Sequence, residues 1–279
     1  MPRGYLLESL PPWLIFVGTV ALVLLSTYSG IFLARFRGKR SLKDQETSVS
    51  AIVGATTALL AFLLAFTFGL TASRFDAKRA LLLEEINAIE TTFLRTRLIP
   101  EPHGAAVRTL LKEYVDLRVE LARRPENTEQ LIQRSERLQG LMWPHAAALA
   151  EADLRNAPIV ALFVDSLNQM FDMQTKRITV GAFYRMPRVM WIALFALTII
   201  AMLEVGYLLG MFDHVNWLLV LMLSLALSTV ILLIADLDRS GAGGTRLIKV
   251  ELQPMTDLQQ RIQAQISGQT DESGQAPLS

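Results

Sequence analysis

The feature that most constrains this chain is the stretch Thr47 to Arg74, where a long uncharged span runs without a break into a charged segment that keeps helical spacing. The run SAIVGATTALLAFLLAFTFGLTAS carries no charge and exceeds the roughly 20 apolar residues that an α-helix needs to cross about 30 Å of hydrocarbon. Beyond it, RFDAKRALLLEEINAIETTFLR sets Leu81, Glu85, Ala88, Thr92 and Arg95 at helical spacing, and no Pro or Gly intervenes before Pro100. One helix is therefore expected to leave the bilayer and continue into water.

Three further runs carry the same message. Trp13 to Ala34 is uncharged, Val189 to Phe212 is apolar apart from Glu204, and Val215 to Ala235 is uncharged. The fold expected is all-α: a polytopic membrane protein with four transmembrane helices and a helical extramembrane domain. Its segments are a first transmembrane hairpin over 1–73, the helical domain over 74–186, a second hairpin over 187–236, a C-terminal segment over 237–266, and a disordered tail over 267–279 that lacks apolar periodicity. The first run reads as a retained span, not a cleaved signal peptide. It is too long for a signal sequence, Glu8 precedes it, and no small-x-small site comes before the basic cluster Arg35, Arg37, Lys39, Arg40 and Lys43.

Within the middle region, Pro100, Pro102 and Gly104 end the first extension. The segment AAVRTLLKEYVDLRVELARR then lays Val107, Leu110, Leu111, Tyr114, Leu117 and Leu121 on one face. Pro125-Glu126-Asn127 reads as a turn, Asn127 or Thr128 as the cap of a following helix kinked at Pro144, and a further helix begins near Pro158. After the last span come a glycine-rich turn at Gly241, Gly243 and Gly244, an extended piece RLIKVEL, and a helix start at Pro254 or Thr256.

Hydrophobic residues make up 52% of the chain and the net charge is +1, with no basic stripe interleaved with aromatics, so no nucleic-acid partner is expected. The absence of cysteine removes disulfides, thiolate metal sites and cysteine nucleophiles together. His103, His145 and His214 share no ligand spacing, and no G-x-S-x-G, phosphate loop or H-E-x-x-H occurs. Neither an enzyme, a cofactor nor a metal site is expected. Glu204 lies inside the third span, where an ionisable group costs about 2.5–3.5 kcal/mol on insertion. It is either functional or a neutral acid hydrogen-bonded near Tyr207 or the Ser224 and Ser228 row.

The stretch FLLAFTFGLTASRFDAKRALLLEEINAI, then LRTRLIPEP, LLKEYVDLR and DLDRSGAGGTRLIKVELQPMTDL, resembles bacterial bestrophin-like membrane proteins over almost the whole chain. A more distant similarity links the second span to the true bestrophins, pentameric anion channels whose second transmembrane helix lines a narrow hydrophobic neck. Phe62, Phe66, Arg74 and Phe75 fit their pattern of two aromatics one turn apart followed by an Arg and a bulky aromatic. Asp236, Asp238, Pro254, Asp257 and Leu258 loosely match the segment after their fourth span. Phe75 and Asp76 stand where a Trp pair is common, Ala58 is smaller than the usual neck residue, and the continuous acidic calcium clasp is missing. The resemblance implies a homo-oligomer, a pentamer, in a bacterial inner membrane, passing an anion.

A pore has its own physical argument. Ala58, Phe62, Phe66 and Leu70 form an i, i+4 ladder, which symmetry converts into stacked apolar rings able to gate by dewetting. Arg74 and Lys78 extend the ladder as positive charge that attracts anions. Set against this, Phe is common on lipid-facing helix surfaces and Arg is an ordinary interfacial anchor. The basic loop between the first two spans argues for one orientation. The summed flanks Arg74, Lys78, Arg79, Lys176, Arg177, Arg185, Arg188, Arg239, Arg246 and Lys249 argue for the opposite one and favour a cytoplasmic middle domain and termini. Two functional classes follow: an oligomeric anion channel, or a non-conducting membrane scaffold or sensor whose helical domain docks a partner.

Overall fold

The computed structural model describes residues 10–37, 46–123, 128–152, 157–183, 186–212, 214–239 and 252–274. Eight helices follow in order: α1 (Pro12–Arg37), α2 (Glu46–Arg95), α3 (His103–Arg123), α4 (Thr128–Ala152), α5 (Ala157–Phe183), α6 (Arg188–Gly210), α7 (Trp217–Asp238) and α8 (Gln253–Gly274). There is no strand among the described residues. Helices α1, α2, α6 and α7 are long and apolar enough to cross a membrane. The described residues separate into two compact units, one holding the chain to Phe75 and from Met186 to Arg239, the other holding Asp76 to Phe183 and α8.

The first unit is built on small residues. Thr19, Val23, Ser26, Thr27, Gly30, Ile31 and Ala34 form the buried stripe of α1, and Gly206 and Gly210 lie in the buried stripe of α6. A Cβ added at Gly206 would lie 2.0 Å from the Thr27 carbonyl oxygen, and one at Gly30 would lie 2.0 Å from that of Leu203. The two backbones are thus in direct contact, the arrangement that Gly-x-x-x-Gly spacing permits where lipid supplies no hydrophobic drive between helices. Several buried hydroxyls find partners in their own helix. Thr27 donates to the Val23 carbonyl at 2.9 Å, Thr67 to Leu63 at 2.8 Å, Thr198 to Leu194 at 2.7 Å and Ser224 to Val220 at 2.7 Å. Asn216 caps α7, its side chain accepting from the amides of Leu218 and Leu219 at 3.1 and 3.4 Å.

The second unit has a separate apolar core, with Ile89, Leu111, Phe163, Leu167 and Met170 fully enclosed. On α3 the expected face holds: Val107, Leu111, Tyr114 and Leu117 are buried, and Leu110 and Leu121 pack at its edge. Pro144 sits inside α4, which continues through it. Helix α8 joins this core through Met255, Leu258 and Ile262, with Gln259 donating to Asp116 at 2.7 Å and Arg261 pairing with Glu90 at 3.2 Å.

One expectation is corrected here. The tail expected to be disordered from Ser267 is helical to Gly274, and 275–279 lie outside the described residues. The last side chain packed at the core is Ile266, and beyond it the helix propagates by adding one hydrogen bond for each residue fixed. The extended piece over 246–251, the glycine-rich turn, the turn at 125–127, Arg185, and Lys39, Arg40 and Lys43 of the basic loop lie outside the described residues.

Candidate functional site

Helix α2 presents two unlike faces along its uncharged span. Val53, Leu60, Leu64, Thr67 and Thr71 are buried, with Leu60 and Leu64 inside the core of the first unit. At about 100° per residue these five cluster on one side of the helix. The other side stays open: Ala58 is exposed, and Phe62 and Phe66 are 68% and 54% exposed on the single chain. Their rings stack with centroids 6.5 Å apart and planes at 20°. Only 17% of the apolar stretch of α2 is buried, against 28–39% for the other three spans.

The ladder does not stay straight. Each i, i+4 step turns about 40° around the helix, so three steps carry Leu70 well away from Ala58, and Leu70, Arg74 and Lys78 are each half-buried. The line that remains on the open face passes from Ala58 and Phe62 through Ala65, Gly69 and Ser73, all exposed. Arg74 has turned toward the packed side, where its Nη1 is buried with no hydrogen-bond partner. The structure therefore keeps Ala58, Phe62 and Phe66 together on one surface and sets Leu70, Arg74 and Lys78 on the shoulder of the helix.

Glu204 on α6 is half-buried, and its Oε2 is enclosed without a hydrogen-bond partner. Of the partners the sequence offered, Tyr207 lines a cavity of about 130 Å³ beside Glu204, together with Val49, Ile52, Val53 and Leu203. Ser224 instead donates to its own helix, and the Ser228 hydroxyl is buried without a partner.

Two constellations escaped the sequence reading. The first is a buried ionic cluster in the second unit, beyond the uncharged part of α2. Glu85 on α2 is fully buried and takes Arg118 of α3, Nε to Oε1 at 2.9 Å, and Arg177 of α5 in a close ion pair. The Tyr114 hydroxyl donates to the same carboxylate at 3.3 Å. Burial works to raise the Glu85 pKa, yet the guanidinium groups of Arg118 and Arg177 outweigh it and hold the carboxyl below its ordinary range. Burial, then the Glu85 charge, push the Tyr114 phenol upward, so it stays neutral. A sequence signal existed: Glu85 shares the helical phase of the buried Leu82 and Ile89. The second constellation is His103 and His145, 42 residues apart in sequence, whose Nδ1 atoms lie 3.1 Å apart with ring centroids at 5.4 Å. With the ring planes at 68°, a 3.1 Å contact between two ring nitrogens is that of an N–H···N hydrogen bond in which one ring carries the proton and the other accepts. No group of three or more His, Cys, Asp or Glu is placed to hold a metal ion among the described residues.

No curated protein and no solved structure matches the chain. A family model for the Bestrophin-like domain matches residues 18–247, a range that takes in the first span from Gly18, the other three spans whole, the helical unit through α5 and the start of the C-terminal segment. With four apolar helices, no strand among the described residues and that match over most of its length, this membrane protein belongs to the bestrophin-like family.

Proposed function

We propose that the chain assembles as a homo-oligomer, a pentamer, that conducts anions through an axial pore lined by α2 in a bacterial inner membrane, with the helical unit and both termini on the cytoplasmic side. The observation that carries this reading is the open face of α2: two stacked phenylalanines, 68% and 54% exposed, on the span with the least burial within its own chain. Around a symmetry axis Phe62 and Phe66 form two apolar rings one turn apart, a constriction that passes ions when wet and blocks when dry. Aromatic edges carry the positive part of the ring quadrupole and accept an anion more readily than aliphatic walls do. The small side chains at Gly69 and Ser73 widen the path beyond the rings. Arg74 and Lys78 act from the shoulder of the helix, because a fixed charge raises local anion concentration within a Debye length of about 10 Å at 0.1 M salt without lining the wall.

The test is chloride flux into liposomes containing purified protein of known stoichiometry. Phe62→Ala and Phe66→Ala are expected to raise flux, whereas Phe68→Ala, exposed on α2 but about 120–160° around the helix from the two rings, leaves it unchanged. A monomer or dimer in detergent, or flux indistinguishable from empty liposomes in parent and both variants, would instead support the scaffold.

A further inference from the structure

The ionic cluster of the second unit is unbalanced. Glu85 supplies one negative charge, Arg118 and Arg177 supply two positive ones, and Tyr114 is neutral, so the group carries an excess of one positive charge. Arg118 is 5% exposed, and its Nη1 is buried with no hydrogen-bond partner. Its other terminal nitrogen, Nη2, donates to Glu85 Oε2 at 3.3 Å. A buried guanidinium N–H without an acceptor is an uncommon state, because removing it from water forfeits strong hydrogen bonds that nothing in the chain replaces. The ion pair beside Tyr114 does not cancel the excess: Lys112 and Asp116 pair with each other at 3.0 Å. Two further buried polar groups of the unit are engaged elsewhere. Gln174, one turn before Arg177, is 2% exposed and its Oε1 already accepts from Gln139 at 2.9 Å. The Ser135 hydroxyl, one turn before Gln139, donates to the Leu131 carbonyl at 3.0 Å.

We propose that this cluster is a binding site for a small monovalent anion of the halide class, held by Arg118 Nη1 and balanced by the excess charge it shares with Arg177. A bound halide supplies both things the cluster lacks, an acceptor for the orphaned N–H and one negative charge. Water supplies only the first. Arg177, whose side chain is 26% exposed, connects the buried group to solvent and gives the ion a route in. The site is distinct from the conduction path and does not depend on conduction. Its consequence is that halide concentration sets the stability of the helical unit, since a ligand that binds only the folded state stabilises it in proportion to the logarithm of its occupancy term.

The experiment uses the full chain in detergent, at fixed pH and fixed ionic strength, with chloride replaced stepwise by gluconate, and reads thermal unfolding. The expected result is an unfolding midpoint that rises with chloride and with bromide. Arg118→Met and Arg177→Met each leave Glu85 with one guanidinium and no excess charge, and both are expected to abolish the halide dependence. Having two such variants keeps the test decisive if one fails to fold. Bromide density beside Arg118 in a structure determined from bromide-exchanged protein is the direct confirmation. Equal midpoints in chloride and gluconate, an unchanged halide dependence in the folded charge-neutral variants, or density that does not gain scattering with bromide would each show that water alone occupies the position and overturn the proposal. Loss of flux in the liposome assay with halide dependence intact would overturn the channel and leave this site standing.

Discussion

Replacing Gly206 by alanine tests the contact on which the membrane unit is built. The added Cβ would lie 2.0 Å from the Thr27 oxygen, 2.7 Å from the Thr27 carbonyl carbon and 2.9 Å from its Cα, whereas ordinary contact begins at 3.4 Å. All three atoms are backbone, so no rotamer change relieves the clash, and α1 and α6 must part by about 1.4 Å, the difference between 3.4 and 2.0 Å. Overpacking of this kind costs about 1–3 kcal/mol. Alanine also gains about 0.8–1 kcal/mol over glycine in a helix interior, which hides part of the loss. Gly18→Ala is the matched control, because Gly18 lies on α1 and its added Cβ meets nothing within 4 Å. Both variants share the propensity gain, so the gap between them isolates the clash. That gap is expected at about 1–3 kcal/mol, or roughly 5- to 150-fold in the unfolding equilibrium. Unfolding by SDS titration in mixed micelles, followed by fluorescence of Trp191, 8% exposed in the core of this unit, gives the measurement. Gly206→Ala as stable as Gly18→Ala would show that the helices are not in backbone contact.

Other perturbations follow from the same geometry. Glu85→Gln leaves Arg118 and Arg177 without their counter-charge and is expected to destabilise the helical unit by about 3–5 kcal/mol, read by chemical denaturation. Because the Glu85 pKa is depressed in the folded state, its contribution is fully present above the unfolded carboxyl value of about 4.3 and is lost as pH falls through the lower folded value. Stability of the parent should therefore drop from about pH 4.3 into more acid conditions with a steeper slope than that of Glu85→Gln, and parallel acid profiles would refute the linkage. Asn216→Ala removes the cap of α7 and is expected to cost about 1 kcal/mol in the same SDS titration. Arg74→Glu, in protein that assembles normally, is expected to shift the reversal potential toward cations more at low salt than at high salt; an unchanged ratio at low salt would remove Arg74 from the permeation field.

Much of the fold was legible because its period is local. The unbroken phase through Arg74 gave α2 its full run, and four long apolar stretches gave the spans. The face of α3 was readable from Val107 to Leu121 for the same reason. What sequence could not show lies between helices. Glu85 meets Arg118 and Arg177 across 33 and 92 residues, and His103 meets His145 across 42, separations at which spacing carries no information. The Gly206 and Gly210 pair stands in the sequence at Gly-x-x-x-Gly spacing, but its meaning depends on Thr27, Gly30 and Ala34 facing it. The ladder from Ala58 was readable for its first turns and misleading beyond them, because a residue repeat of four drifts around a helix of about 3.6 residues per turn. Helix α8 outran its expected end since apolar pattern marks where a helix packs, not how far it propagates.

The backbone contact between α1 and α6 also has a consequence in time. Gly30 and Gly206 are 176 positions apart in the chain, and synthesis at about 5–20 residues per second separates their appearance by roughly 10–35 s. During that interval the groove at Thr27, Gly30 and Ala34 has been made and its partner has not. The hydroxyls of Thr19, Ser26 and Thr27 are already bonded within α1, so the face that will meet α6 can wait in the bilayer with these hydroxyls satisfied. Its small-residue face, however, stays open to any helix that fits it. Correct assembly of the nascent protein thus depends on α1 remaining unoccupied until the whole helical unit has been synthesised, and a competing peptide bearing Gly-x-x-x-Gly is expected to be most disruptive when supplied during translation and inert once α6 is in place.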